Sequence, residues 1–433
     1  MKKILIPFAF ASLFLSCHKL LDFSPHGHGP SAEFKKVYGG NSQDEVASLL
    51  FAEGGGYFFA GMSSSNDGDV TGNHGDYDAW AVKLDKTGAI EWQKSIGGSG
   101  FELIFSATNS GKNDFAVAGS TPSNDGDVTG NHGLDDAWVA KISGAGQLLW
   151  QKSFGGTSGD VFEEIIQITG GGYLCVGSTF SNDGDVSGNH GEEDGWVVML
   201  DKSGNIEWQK TLGGSGTERF QGVTQTLAGD YIMVGSTNST DGDVNENKGI
   251  SDAWVLKIDK KGKLQWQKTF GGTGVETLLD VTQMLDGGFL MVGSTDSNDG
   301  DISGTHGGTD AWVVRIDKNG AIKWQKPLGG SGYEELRQIA KTPLGDYLLA
   351  GPSNSNDGDV SGNKGILDGW VIAINDNGEK LWQETFGGMD IDVLNTIAAR
   401  WDGSYITGGW TSSTDGDATG NHGFADAWVL SKK

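Results

Sequence analysis

The sequence predicts an all-β fold, a seven-bladed β-propeller built from seven copies of one 58-residue repeat. One Trp recurs with a constant step of 58 residues, at Trp80, Trp138, Trp196, Trp254, Trp312, Trp370 and Trp428. A second aromatic series keeps the same step, at Phe34, Trp92, Trp150, Trp208, Trp266, Trp324 and Trp382. Each repeat contains four short runs of β-branched and aromatic residues, and four antiparallel strands repeated in this way are typical of a propeller.

The four strands of each repeat are bounded by turn residues. In the fourth repeat they are predicted at the runs ERFQGVTQT, YIMVGST, DAWVLKID and LQWQKTF. A Gly-rich hairpin joins the first two strands, a long loop such as residues 65–78 joins the second and third, and a turn such as residues 259–262 joins the last two. No segment shows a convincing helical period.

The register of the repeats predicts how the ring closes. The last Trp of the series is followed by five residues, whereas the segment FKKVYGG at residues 34–40 is the counterpart of WQKxxGG in the other repeats. We therefore expect residues 34–38 to supply the outer strand of the blade whose other three strands are C-terminal. The predicted propeller domain spans residues 34–433, and closure of this kind protects sheet edges. We expect the ring to be monomeric.

The strand order also carries a resemblance. A YxxVG strand, a long loop, a DxW strand, a turn and a second Trp follow one another in a repeat, and this order resembles the kelch repeat of galactose-oxidase-like propellers over residues 34–433. The resemblance implies the same propeller fold. A copper oxidase of that kind would also need Tyr, His and Cys ligands near one face, and the sequence does not predict such a group.

The N-terminal segment indicates export and membrane attachment. Lys2 and Lys3 precede an apolar run at residues 4–15, which is too short to span a bilayer and predicts a signal peptide at residues 1–16. The sequence FLSC ending at Cys17 resembles the lipobox of bacterial lipoproteins, which implies a lipid-modified Cys17 followed by a tether over residues 17–33. His18 favours sorting to the outer membrane or cell surface; an ordinary secretory signal with a stray Cys is the alternative.

The charge is concentrated in repeated positions. With 57 acidic and 31 basic residues the chain carries a formal charge of -26, which argues against a nucleic-acid partner. Four sets of equivalent positions, here called columns, are acidic in all seven repeats. They are the Asp44 column (Asp44, Glu102, Asp160, Glu218, Glu276, Glu334, Asp392), the Asp67 column (Asp67, Asp125, Asp183, Asp241, Asp299, Asp357, Asp415), the Asp69 column (Asp69, Asp127, Asp185, Asp243, Asp301, Asp359, Asp417) and the Asp78 column (Asp78, Asp136, Asp194, Asp252, Asp310, Asp368, Asp426).

Two roles are open for these carboxylates. The loop from Asn66 to Asp78 offers enough oxygens for Ca2+, so the Asp67, Asp69 and Asp78 columns are candidate metal ligands, although their spacing is not that of an EF-hand. Turn chemistry, in which the side chains bond nearby backbone, is favoured over metal. The Asp44 column is expected to bond neighbouring blades, with a charged ring at the channel mouth as the alternative. Trp410 is a further candidate for ligand contact.

The same repetition bears on function. An active site needs unlike groups at one point, and the sequence contains no GxSxG, HExxH or phosphate-loop motif, so catalysis is not expected. The sequence favours a lipid-anchored envelope protein whose acidic face binds a glycan or a protein, with calcium as a candidate cofactor. The alternatives are an assembly lipoprotein that acts as a docking scaffold and, less favoured, an enzyme acting on polysaccharide or peptide.

Overall fold

The computed structural model describes residues 33–433. The predicted signal peptide, Cys17 and the tether up to residue 32 lie outside the described residues. The described part of the chain is all-β, with 28 strands arranged in seven four-stranded antiparallel sheets and no helix. The seven-bladed propeller and its four strands per repeat are therefore confirmed. No helix within residues 33–433 has the length and apolar character needed to cross a bilayer.

The strands follow the predicted runs closely. They are β1 (Phe34–Tyr38), β2 (Asp44–Phe51), β3 (Tyr57–Ser63), β4 (Asp78–Leu84), β5 (Ile90–Ile96), β6 (Leu103–Ser110), β7 (Asp114–Thr121), β8 (Asp136–Ile142), β9 (Leu148–Phe154), β10 (Asp160–Gln167), β11 (Tyr173–Thr179), β12 (Asp194–Leu200), β13 (Ile206–Leu212), β14 (Glu218–Gln225), β15 (Tyr231–Thr237), β16 (Asp252–Ile258), β17 (Leu264–Phe270), β18 (Glu276–Gln283), β19 (Phe289–Thr295), β20 (Asp310–Ile316), β21 (Ile322–Leu328), β22 (Gln338–Lys341), β23 (Tyr347–Ser353), β24 (Asp368–Ile374), β25 (Lys380–Phe386), β26 (Asp392–Ala399), β27 (Tyr405–Thr411) and β28 (Asp426–Lys432).

The ring closes as the register predicts. β1 pairs antiparallel with β28, from Phe34 opposite Ser431 to Tyr38 opposite Ala427, and completes the sheet β1-β28-β27-β26. β1 also contacts the first blade, because the Tyr38 hydroxyl donates to the Gly88 carbonyl at 2.7 Å. One short strand therefore joins the C-terminal blade to the N-terminal one.

The two aromatic series have different places in a blade. The Trp80 series lies on the third strand of each blade and is fully buried. In six blades its indole donates to a Gln on the outer strand, as from Trp80 to Gln93 at 3.0 Å. In the seventh blade the equivalent of that Gln is Lys35 of β1, and the Trp428 indole has no partner among the described residues. The Trp92 series is half-exposed and packs on a turn of the next blade. The Trp92 indole, for example, donates to the Gly144 carbonyl at 3.0 Å.

The inner strands carry a β-bulge that faces the ring axis. In the first blade Val46 pairs with Gly61 and Ser48 with Ala60, so Ala47 is an extra, unpaired residue. The same bulge occurs in β6, β10, β14, β18 and β26. Inner strand β22 is shorter than the other inner strands. The Glu335 amide donates to the Pro352 carbonyl, but Pro352 has no N–H, so the second hydrogen bond of this residue pair cannot form.

The strand directions define two faces of the ring. The loop face holds the long loops between the second and third strands and the Gly-Gly turns that enter each inner strand. The hairpin face holds the hairpins between the first and second strands, such as residues 52–56, and the turns between the third and fourth, such as residues 85–89. All four acidic columns lie at the loop-face end of the blades.

Candidate functional site

The Asp44 column is buried at the start of the inner strands. Asp44 accepts hydrogen bonds from the Gly40 amide and the Ser65 hydroxyl, both at 2.8 Å, and from the Ser63 hydroxyl. Because Gly40 lies in the turn that arrives from the preceding blade, these bonds tie one blade to the next. Burial raises the pKa of the Asp44 carboxyl.

This placement corrects one expectation about the Asp44 column. Side chains that are buried and bonded to backbone amides and hydroxyls do not ring the mouth of a channel or face a ligand. The correction applies to all seven members, Asp44, Glu102, Asp160, Glu218, Glu276, Glu334 and Asp392, which are at most 2% exposed. Their structural role is the blade-to-blade bonding that the sequence favoured.

The Asp67 and Asp69 columns lock each long loop onto the turn that enters the same blade. In all seven blades each Asp67-type carboxylate accepts a hydrogen bond of 2.7–2.9 Å from the backbone amide of the residue 26 positions earlier. In the first blade this donor is the Asn41 amide. Each Asp69-type amide donates to the carbonyl of the first turn glycine, as from Asp69 to Gly39, at 2.8–3.1 Å. These bonds are the expected turn chemistry.

The Asp78 column is fully buried. In every blade its carboxylate accepts a hydrogen bond from the backbone amide of the residue four positions earlier. In five blades that residue is a His, and the Nδ1 atom of His74 lies 2.6 Å from an Asp78 carboxylate oxygen. In two blades it is Lys248 or Lys364, whose side chain reaches across to the next blade. Lys364 Nζ, for example, donates to Asp417 at 2.7 Å.

Each Asp78-type carboxyl also lies beside an Asp44-type carboxyl of the following blade. A Cβ atom on Gly271 would come within 2.5 Å of Asp252 Oδ1 and 2.6 Å of Glu276 Oε2, so both oxygens are close to the same point. Asp252 Oδ1 is buried and has no hydrogen-bond partner within residues 33–433. Burial, together with the neighbouring Glu276 charge, raises the pKa of Asp252 to about 6. Burial, together with the neighbouring Asp392 charge, likewise raises the pKa of Asp368 to about 6.

We predict that the melting temperature rises as the pH falls from 8 to 5. The pKa values of Asp252 and Asp368 are about 6 in the folded ring and ~3.9 in an unfolded chain, so the folded ring binds these two protons more tightly. Their contribution to stability is complete below about pH 4 and is lost as the pH rises through about 6. Scanning calorimetry should show a double Asp252→Asn, Asp368→Asn variant melting about 2–4 °C above wild type at pH 8, with a flatter pH profile. A variant that melts below wild type at pH 8 would contradict this.

The candidate metal ligands do not converge. Within the described residues no group of three or more His, Cys, Asp or Glu side chains is placed to hold a metal ion. The loop carboxylates instead accept backbone amides, as described for the Asp67 and Asp78 columns. Calcium binding at these loops stays the less favoured of the two alternatives from the sequence.

The central channel is lined by residues that differ between the seven repeats. The bulge positions of the seven inner segments carry seven different residues: Ala47, Phe105, Glu163, Gln221, Leu279, Arg337 and Asn395. All seven line one small pocket of about 90 Å³ that is partly open to solvent. The bulge directs each of these side chains at the axis. The ring therefore surrounds an asymmetric pocket with a symmetric frame.

Polar networks cross the blades at this pocket. Arg337 donates to Glu335 at 2.7 Å and to Asn395 at 2.5 Å, and Asn395 donates on to Glu45 at 2.8 Å. In another pair of blades, Arg219 donates to the buried Glu193 at 2.8 Å.

The Glu163 carboxyl of this pocket has a raised pKa. Burial raises its pKa to about 7, with the Glu193 charge adding to the shift and Arg219 opposing it. The channel thus gathers unlike groups at one place, which the repeated columns do not.

Sequence reasoning missed this pocket because it followed the residues that repeat. The signal was present: the Ala47 column has no residue twice, while Gly61, which pairs beside the bulge, is Gly in all seven repeats. Recognising the bulge needs the strand register, since a single extra residue leaves the 58-residue step unchanged.

Exposed apolar side chains stand on the loop face. Leu134, Ile250, Ile366 and Phe424, here called the loop-face tips, share one column two residues before the buried Asp of their blade, and they are 63–84% exposed. The other three blades carry Asp76, Glu192 and Gly308 there. Trp410, the predicted contact residue, is half-buried in β27 opposite Val393 and Ala427. The amides of Ile250 and Ile366 donate to the backbone carbonyls of Gly274 and Asp390 at 2.9 and 3.1 Å.

Comparison with known proteins supports the fold and little beyond it. No family model matches the chain. The chain is similar to the regulatory protein FlaEY of Caulobacter vibrioides, with 27% identity over 220 residues, which is 46% of this chain and 22% of that protein. The chain therefore spans less than a quarter of the length of this relative.

Two solved structures resemble the ring. Hydrazine synthase of Kuenenia stuttgartiensis is 11% identical with a TM-score of 0.53, over 88% of this chain and 96% of that one. Raptor of Chaetomium thermophilum is 9% identical with a TM-score of 0.51, over 93% of this chain and 30% of that one. At such low identity these likenesses concern the fold alone.

Proposed function

We propose that this chain is a lipid-anchored, non-catalytic docking protein of the bacterial cell envelope, which binds a protein partner through the loop face. The observation that carries the proposal is the set of loop-face tips. Large apolar side chains exposed on one face of a rigid ring are typical of a protein-binding surface.

The electrostatics of the loop face indicate the character of the partner. The Asp67-type carboxylates lie on the same face as the tips and are exposed while they hold the loops. A partner with an apolar patch and a basic rim complements such a surface, because rim charges govern the rate of encounter and the choice of partner. The contact is asymmetric, since only four of the seven blades carry an apolar tip.

The loop geometry argues against seven identical glycan sites. The repeated carboxylates and hydroxyls bond one another and the backbone, so few of their hydrogen-bonding groups remain for sugar hydroxyls. The channel pocket supports a second candidate function, the binding of a small polar ligand. Its unlike groups, Glu163, Arg337 and Asn395, are the kind of set that an asymmetric ligand requires.

The docking proposal is tested by cross-linking the full-length protein in native envelopes and quantifying the captured partner. We expect a loop-face variant with Leu134, Ile250, Ile366 and Phe424 changed to Ser to capture roughly 10-fold less partner than wild type, because each tip removed takes apolar contact from the interface. The matched control changes Leu149 and Leu381, which are exposed on the outer strands β9 and β25, to Ser and should capture as much as wild type.

Equal capture by the wild type and the loop-face variant would refute docking through the tips. A glycan array run on the same proteins separates the ligand classes. Several weak, equivalent sugar contacts would identify a lectin instead.

A further inference from the structure

An arc of exposed apolar side chains lies on the hairpin face, opposite the loop-face tips. Leu227, Leu285, Leu344 and Trp401, here called the hairpin arc, occupy the inner-strand hairpins of four consecutive blades and are 53–88% exposed. The equivalent hairpins of the first three blades carry Glu53, Lys112 and Thr169 at their tips. The arc is therefore confined to one side of this face.

The chain enters the ring on this same face. β1 begins at Phe34, opposite Ser431 at the hairpin-face end of β28, and runs towards the loop face. Residues 18–33 separate Phe34 from Cys17. Fully extended, a segment of this length reaches at most about 55 Å. A lipid anchor at Cys17 would therefore be connected to the ring on the hairpin face.

The hairpin face is less acidic than the loop face. The four acidic columns lie at the loop-face end, whereas the outer turns of the hairpin face present both signs, with exposed Lys86, Lys202, Lys260, Lys261 and Lys318 beside Asp85, Asp201, Asp259 and Asp317. Two aspartates on the arc hairpins are paired with basic side chains, Asp230 with Lys257 at 3.0 Å and Asp286 with Arg315 at 2.8 Å. Lysines around an apolar surface attract lipid phosphates, whereas the carboxylates of the opposite face are repelled by lipid phosphates.

We propose that the hairpin face rests on the lipid bilayer and that the hairpin arc inserts among the lipid headgroups. The inference rests on the lipid anchor of the proposed function and adds the orientation of the ring. Trp401 suits this position because an indole is stable where apolar chains meet hydrated headgroups. The loop-face tips then point away from the membrane, towards a partner.

The orientation is tested on the full-length lipidated protein, reconstituted into vesicles that contain a lipid with a nitroxide on its headgroup. A fluorophore is placed at Leu344→Cys in one sample and at Ile366→Cys, on the loop face, in the matched control. Both sites are highly exposed, so the substitutions leave the core intact, and the native Cys175 is buried and does not compete for the label. We expect the nitroxide to quench the Leu344→Cys label at least about two-fold more strongly than the control label, because a headgroup quencher acts only at short range.

The outcomes separate the two proposals. If the protein floats with the vesicles and the two labels are quenched equally, or the control more strongly, the hairpin face does not rest on lipid and the inference is wrong while the anchor stands. If the protein does not float, the anchor is wrong and the orientation that depends on it fails too.

Discussion

Deleting residues 34–38 is expected to abolish cooperative unfolding of the whole ring. The deletion removes the outer strand of the seventh blade, exposes the edge of β28 and loses the bond from Tyr38 to the first blade. Since every blade is held only by its neighbours, an open ring loses the packing of its two terminal blades. Calorimetry should show a broad, low-temperature transition or none. A deletion protein that melts like the full-length chain would contradict closure by β1.

Two point variants examine the same joint without removing chain. Pro327 occupies the position of β21 that is equivalent to Val37, so the β-ladder does not need an N–H at that position of an outer strand. Bonds alternate along an antiparallel pair, so the neighbouring Lys36 N–H is one that the ladder uses. We therefore expect Lys36→Pro to destabilise the ring by about 3 kcal/mol and Val37→Pro by clearly less. The reverse order would contradict the register of β1.

Gly293→Ala is expected to be among the most damaging single substitutions of small size. A Cβ at Gly293 would lie 2.0 Å from the Thr277 carbonyl oxygen, where the bulge of β18 presses onto β19. The obstacle is backbone that is hydrogen-bonded between β18 and β19, so it cannot move aside cheaply. We expect the free energy of unfolding to fall by at least about 3 kcal/mol, as chemical denaturation would measure.

The matched control is Gly304→Ala in the same blade. Gly304 has a φ of +93°, and a Cβ at this position would meet no other atom within 4 Å, so only backbone strain opposes the substitution. That strain is worth about 1 kcal/mol. If the two variants were equally stable, contact at the bulge would not explain why the Gly61 column is glycine in every repeat.

The fold could be predicted from the sequence because the information is repeated. The constant step of 58 residues gave the number of blades, and the match of residues 34–40 to the outer strand identified the closing strand. Both depend on local pattern, which seven copies make unambiguous. The same repetition predicted that the loop carboxylates bond backbone, as Asp67 does with Asn41.

The candidate site could be predicted only in part. The Asp44 column was expected to be available at the channel mouth as one alternative, but its burial depends on how the Gly40 turn folds over it, which is a tertiary contact. The channel pocket depends on a bulge, and the hairpin arc depends on which hairpins become neighbours in space. Positions that differ between repeats form these surfaces, and a search for repeats passes over them.

We propose that the repeated residues build the frame of the ring and that the unrepeated residues contact its partners. Titration calorimetry with calcium on the folded protein tests it most directly, because the loops carry the largest set of repeated oxygens. If the loop carboxylates are committed to backbone amides, millimolar calcium should give no saturable heat and leave the melting temperature unchanged. Saturable binding of several ions per ring, with a raised melting temperature, would show that the repeated carboxylates are themselves the binding sites.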